Sequence, residues 1–360
     1  MKAKELNKWS LSSVGLLALA GIASAGEPVH CDTPEWSDKN VICDKEVFED
    51  DEEGHPDENL WIYTKGTKVR EKGSFEFKLK DISKFGKKFG SYQFHDVRPE
   101  LEYGITDRFT VGVSAFLFHH DYRNIPWAPM SDRQNGSYTG TQLGGFEINT
   151  KYNILDPFED CFGLSFGLAF EHRMAYRLDG SRIDQDSLVP QIFLQKSLMN
   201  DKLQLAFTGK LEFEQRKSLN LLEEEIAPDL AAGISYNVKK DIWVGFETRY
   251  QSDFLVPFEE GAYAGFGPNA GNPSPSNWDW GEFALGDQFQ HGWYVGPTVH
   301  WDPSCKPWWV TAGALWQFNG WSAEGSAAAT NNKNWDEHEK VHVGITMGYE
   351  WEPGEKGGWK

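Results

Sequence analysis

Past Ala25 this 360-residue chain has no run of about 18 apolar residues, and its mean hydropathy is −0.55. A helix that crosses a bilayer needs about 20 such residues, so a helical membrane protein is excluded. Basic character is scarce too: 35 Lys and Arg stand against 54 Asp and Glu, for a net charge of −19. Nucleic-acid binding needs a basic face to meet phosphates, and the chain as a whole offers none. Cysteine is limited to Cys31, Cys43, Cys161 and Cys305. Neither C-x-x-C spacing nor clustered histidine accompanies them, so they point away from a metal site, and no motif asks for a cofactor. In an oxidising compartment they are disulfide candidates with three possible pairings, of which a local Cys31–Cys43 loop is favoured by its short separation.

The first residues address the export question. Lys2, Lys4 and Lys8 precede the uncharged stretch Leu11 to Ile22, and Ala23-Ser24-Ala25 fits the small-residue pattern that signal peptidase accepts. A helix of about 12 apolar residues rises only about 18 Å, too little to span a hydrocarbon core of about 30 Å. The layout predicts a signal peptide over 1–25. No cysteine follows Ala25, so a lipoprotein is not supported.

Aromatics are plentiful, with 16 Trp, 12 Tyr and 24 Phe. A soluble domain hides such side chains in a core, whereas a membrane barrel spends them on its lipid face and in girdles at both interfaces. Periodicity decides between the two. Phe162, Leu164, Phe166, Leu168 and Phe170 alternate with Gly163, Ser165, Gly167, Ala169 and Glu171; Val341, Val343, Ile345, Met347, Tyr349 and Trp351 alternate with His342, Gly344, Thr346, Gly348 and Glu350. A strand turns successive side chains to opposite faces, so one face is greasy and the other small or polar. The same count predicts strands near 72–81, 90–104, 108–121, 140–154, 161–177, 187–199, 202–216, 225–238, 241–255, 288–301, 307–319 and 338–351. Most meet the roughly 9 to 11 residues of a tilted membrane strand, and exceed the roughly 5 to 6 of a soluble β-sandwich.

The connections alternate in length. Ile105-Thr106-Asp107, Leu155 to Asp160, Asn200-Asp201, Lys239-Lys240 and Asp302 to Lys306 are short, while Tyr122 to Thr139, Val256 to Asp287 and Gly320 to Glu337 are long. Short periplasmic turns and long external loops are the habit of outer-membrane barrels. The expected fold is all-β: a transmembrane antiparallel up-and-down barrel of about twelve strands over 71–352, with a tail over 353–360. Residues 26–70, which hold the acidic run Glu46 to Glu53, are expected as a partly disordered periplasmic segment. That run lacks the spacing of a calcium loop. Leu60, Trp61, Ile62 and Tyr63 are apolar enough to close the periplasmic mouth.

The stretch Glu100-Leu101-Glu102-Tyr103-Gly104-Ile105-Thr106-Asp107-Arg108-Phe109-Thr110-Val111-Gly112-Val113, with Gly66 to Lys80 upstream, resembles an uncharacterised bacterial outer-membrane family known only as a domain of unknown function. More loosely it is similar to the porin-like family linked to phenol-degradation clusters. The resemblance implies an outer-membrane barrel and brings no ligand or catalytic residue.

If the aromatic registers face lipid, the opposite registers carry charges inward. The lumen and selectivity candidates are Arg98, Glu100, Glu102, Glu147, Glu171, Arg173, Lys210, Glu212, Glu247 and Arg249, with Asp96, Lys151, Glu214, His300, His342 and Glu350 on the same parity. Twelve strands lie between filled eight-stranded barrels and open channels of 16 to 18, so the passage is narrow and its charges decide what enters. Mutual salt bridging is the plain alternative for each of them. The expected function is a narrow porin-like channel for a small solute, with outer-membrane lipid as partner, no nucleic acid, and oligomeric state open. A second class is an outer-membrane hydrolase, for which His119-His120-Asp121 supplies the nearest base. Adjacent strand histidines point to opposite faces, so a site at headgroup level explains them better and no enzyme is expected. A surface binding barrel is the third reading.

Overall fold

The computed structural model describes residues 58–125, 136–218, 221–255, 287–303, 306–322 and 332–351. Within them twelve strands follow one another: β1 (Phe75–Phe85), β2 (Ser91–Thr106), β3 (Phe109–Arg123), β4 (Tyr138–Leu155), β5 (Gly163–Ala175), β6 (Arg182–Leu198), β7 (Leu203–Ser218), β8 (Leu221–Lys239), β9 (Ile242–Leu255), β10 (Asp287–Trp301), β11 (Trp308–Ser322) and β12 (Val341–Trp351). Each pairs antiparallel with its neighbours, and β1 pairs with β12 from Phe75↔Trp351 to Phe85↔Val341. The sheet therefore closes into a barrel and leaves no edge of unpaired backbone groups. All twelve expected strands are present; β6 differs most, starting at Arg182 where the sequence reading began at 187.

The turns at one end are tight because their residues accept left-handed backbone. Asn200 and Asp201 between β6 and β7 have φ of 53° and 61°, and Asp241 between β8 and β9 has 72°. Asn and Asp tolerate this region better than most side chains. The rim built by the short turns also holds the start of β1 and the end of β12, where Phe75 stacks on Trp351 with centroids 5.6 Å apart. Near the other rim Trp293 meets Tyr250 and Phe318 at 5.9 and 5.2 Å.

Along β5 the outward residues Phe166 and Leu168 are each 46% exposed, while inward Ser165, Ala169, Glu171 and Arg173 are buried. That is the register expected from the alternation. β3 departs from it. Phe116 and Phe118 turn into the lumen, where they form a buried cluster with Tyr92, Phe94, Tyr122, Ile125 and Ala175. The rule that aromatics face outward fails there because Val111, Val113, Ala115 and Leu117 already supply the apolar outer face of that strand.

Residues 58–72 are not a strand. They run across the barrel interior, and Leu60, Trp61 and Ile62 are almost wholly buried. The reading of 26–70 as a periplasmic segment thus needs correcting for 58–70, which packs within the wall; Leu60 to Tyr63 do lie where they can close the lumen. The polar wall residues below explain why: they offer partners to a backbone that has no strand of its own to pair with. The expected signal peptide over 1–25, residues 26–57 and the expected tail over 353–360 fall outside the described residues.

Candidate functional site

The segment 58–72, called the plug from here on, is seated by one wall residue after another. Glu247 of β9, fully buried, accepts from three successive backbone N–H groups: Ile62 at 3.1 Å, Tyr63 at 2.9 Å and Thr64. Thr208 of β7 accepts from Lys65 N–H at 2.8 Å, Gln195 of β6 from Thr67 N–H at 2.9 Å, and Thr110 of β3 from Arg70 N–H at 2.8 Å. Plug carbonyls are met in turn: Lys80 donates to Ile62, Lys151 to Gly66, Asn153 and Ser165 to Thr67. Side chains fit notches in the wall. A Cβ on Gly344 would stand 2.4 Å from Ile62 Cγ2, and one on Gly233 2.4 Å from the Trp61 indole nitrogen. Tyr63 reaches His342 Nδ1 with its hydroxyl at 2.8 Å, and burial pushes that phenol above its usual range.

Around the plug runs a network of charges. Lys78 of β1 lies among four carboxylates, hydrogen-bonded to Glu102 and within 3.8 Å of Glu58, Glu76 and Glu100. Glu58 also holds Lys151, and Arg70 contacts Glu58, Glu76 and Glu350. Burial alone would raise the Glu58 carboxyl, yet Lys151, Lys78, Lys65 and Arg70 outweigh it and hold the group below the usual carboxylate range. Glu58, Glu76 and Glu102 bring oxygens within 4.8 Å of one another, but the Lys78 ammonium already supplies the positive charge there. Farther along the lumen, Arg98 forks onto Asp96 at 2.9 and 2.8 Å and Arg249 onto Asp229 at 2.9 and 2.7 Å. Arg173 joins Glu171, Glu212 and Glu214.

Two connections at the long-loop end fold inward. In the β5–β6 connection, carbonyls of Arg177, Leu178 and Asp179 accept from Tyr92 and Tyr122. Ahead of β12, Glu339 pairs with Lys87 at 3.0 Å and with Lys84 at 3.6 Å; burial works against its charge, but these lysines hold it well below the usual range. Its carboxylate also meets His342 Nε2 at 3.2 Å, so the plug and this connection share one histidine.

All ten lumen candidates face inward, and some of them meet one another: Arg173 pairs with Glu171 and Glu212, and Arg98 lies 3.8 Å from Glu147. Others find partners outside the set: Arg249 takes Asp229 rather than Glu247, which is occupied by the plug, and Glu100 and Glu102 take Lys78, while Lys210 stands opposite Asp229 in the β7–β8 pairing without an ion pair among the described residues. Sequence reasoning missed Glu76, Lys78 and Lys80, although they alternate with Phe75, Phe77 and Leu79 as the other strands do. It also missed Glu58, Arg70 and Asp229. His119 faces outward, but His120 sits in the lumen with Nε2 3.0 Å from the Arg177 carbonyl, so headgroup level does not describe it. Gly163-Leu164-Ser165-Phe166-Gly167 has the G-x-S-x-G spacing of a hydrolase nucleophile. Ser165 nevertheless lies in a regular strand rather than at a sharp strand-to-helix turn, and its hydroxyl donates to Thr67 O at 2.6 Å. Cys161 is disulfide-bonded; Cys31, Cys43 and Cys305 lie outside the described residues.

Residues 53–351 match the model of DUF6662, a family of unknown function. No curated protein matches the chain by sequence. Among solved structures, the COG4313 outer membrane channel from Pseudomonas putida F1 is similar with a TM-score of 0.50 and 9% identity, over 79% of this chain and 98% of that one. LpxR from Salmonella typhimurium gives 0.39 at 5% identity, over 77% and 99%, and the KdgM porin 0.36 at 9%, over 77% and 98%. At such identities the first likeness concerns the fold: a closed barrel of the outer-membrane kind.

Proposed function

We propose that this chain, which belongs to the DUF6662 family of unknown function, is a narrow channel for a small solute in the bacterial outer membrane, closed by its own residues 58–72. The observation that carries this reading is the plug itself. A barrel that serves only as a surface scaffold has no need of a lumen segment docked by polar contacts, whereas a gated channel needs an obstruction that can leave. The plug is held by hydrogen bonds and ion pairs from many strands, and water entering the lumen can replace these one at a time. The outward band of Phe, Leu and Val supplies the lipid contact. The short turns and the plug face the periplasm in this orientation, and the long connections face outside.

The reading is non-enzymatic, because the Ser165 hydroxyl is committed to the plug and His120 to a backbone carbonyl. Single-channel recording of the refolded protein in planar bilayers tests it. Wild type is expected to show brief, small openings, and Gly344→Phe, which fills the notch of Ile62, longer or larger ones. Silence in both proteins, with normal heat-modified gel mobility, would reject the channel.

A further inference from the structure

The plug enters the lumen from the short-turn rim, where Lys72 meets Asp107, and residues 332–340 fold in from the long-loop end. Both reach the same two wall residues, His342 of β12 and Tyr294 of β10, neither of which has exposed surface. His342 meets the Tyr63 hydroxyl of the plug with Nδ1 at 2.8 Å and the Glu339 carboxylate of the connection with Nε2 at 3.2 Å. Tyr294 stacks on the imidazole with centroids 4.1 Å apart, donates its hydroxyl to the Glu339 carbonyl at 3.0 Å, and shares a buried apolar cluster with Ile62 of the plug. The connection is seated as the plug is, by wall side chains on its backbone: Gln317 of β11 accepts from Asn334 N–H and donates to the Asn334 carbonyl, each at 2.9 Å.

The chemistry of the imidazole ties the two contacts together. Lys87 at 3.0 Å and Lys84 at 3.6 Å keep Glu339 ionised, and a carboxylate can only accept. Nε2 therefore carries the proton that it donates to Glu339. The lysines already meet the carboxylate charge, and a further charge on an enclosed ring is costly, so the ring is neutral and holds one proton. Nδ1 is then a bare acceptor, and the Tyr63 hydroxyl donates to it. When Glu339 leaves, nothing keeps the proton on Nε2, and in the tautomer that carries it on Nδ1 the Tyr63 hydroxyl has lost its acceptor. We infer that His342 couples the plug to the connection at 332–340, so that displacing either segment loosens the other. The inference rests on the channel reading and adds a regulation to it: a solute that pushes the connection aside from without weakens the plug ahead of it. The coupling is reciprocal, because one proton position serves both contacts.

Hydrogen exchange and ring-nitrogen NMR of the refolded full chain test the link. Glu339→Ala is expected to speed exchange at Ile62, Tyr63 and Thr64 by about threefold to tenfold, the worth of one hydrogen bond, with the amides of β5 unchanged. Tyr63→Phe, which removes a single oxygen, is expected to speed exchange at Asn334 and Glu337, whose N–H groups hold the connection in place, by a similar factor. Added to Tyr63→Phe, Glu339→Ala is expected to have no further effect at Ile62 and Thr64. The His342 ring signal, identified by its loss in His342→Gln, is expected to place the proton on Nε2 in wild type and to divide it between both nitrogens in Glu339→Ala. Heat-modified mobility confirms that each variant folds. Unchanged exchange at 62–64 in Glu339→Ala or at Asn334 and Glu337 in Tyr63→Phe, equal acceleration with and without the Tyr63 hydroxyl, or a proton on Nδ1 in wild type overturns the coupling. Bilayer recording keeps the two readings apart. Coupled exchange in a barrel that never conducts keeps the link and removes the channel, and conduction with uncoupled exchange does the reverse.

Discussion

Among the described residues Glu247 has no cationic partner of its own, and its two oxygens accept three plug N–H groups in a fully buried position. Hydrogen bonds to a charged group are worth about 1.5 to 3 kcal/mol each, so Glu247→Ala is expected to undock the plug while leaving the strand pairing intact. Faster hydrogen exchange over 60–66, with wild-type gel mobility of the barrel, is the expected outcome; unchanged exchange would show that Glu247 does not hold the segment. Glu58 gives a pH dependence with a definite sign. Its carboxyl is depressed in the docked state relative to its ordinary value of 4.5, so its contribution is complete above that value and drains away as pH falls below it. Plug protection through Glu58 is therefore expected to be level between pH 7 and pH 5 and to decline only in stronger acid. In Glu58→Gln that acid-dependent decline is expected to shrink; a decline as steep as wild type would assign it to other groups.

At the scale of the element, β5 shows what a strand reveals from its sequence. Phe166 and Leu168 are outward and Glu171 and Arg173 inward because a bilayer and a wet lumen make opposite demands on alternate residues. Phe166→Arg is expected to lower barrel stability by about 2 to 4 kcal/mol near the midplane, read as a lower denaturation midpoint in bilayers. Tolerance of arginine at both Phe166 and Leu168 would contradict the outward register. The same logic made all twelve strands legible, and it failed where the lumen itself is greasy, at Phe116 and Phe118 of β3. The plug was legible only as an apolar run, Leu60 to Tyr63, with no period to show which surface receives it. Its seat is written elsewhere in the chain, in inward glycines such as Gly233 and Gly344 whose partners become visible only once the barrel closes.

For the molecule as a whole, the inward charges come from almost every strand, and closure of the sheet decides which of them meet. Arg173 and Glu212 are 39 positions apart along the chain, yet lie 3.0 Å from each other, because β5, β6 and β7 are consecutive staves of one wall. Parity alone could place both in the lumen but could not choose Glu212 over Glu100 as the partner, since that choice depends on the stagger between staves. The orientation of the wall follows from the same closure. The short turns at 107–108, 199–202 and 240–241, the end of the plug at Lys72 and both ends of the barrel gather at one rim, and the inward-folded connections before β6 and β12 at the other. A chain exported through the inner membrane inserts with its short turns trailing on the periplasmic side, because the long, polar connections are the parts that must reach the outside. Epitope tags at Asp201 or Lys240 are therefore expected to stay hidden from antibody on intact cells, and a tag at Asn272 to be labelled. Labelling at Asp201 and Lys240 with none at Asn272 would turn the barrel over, and would put the plug at the mouth through which a solute from outside must first pass.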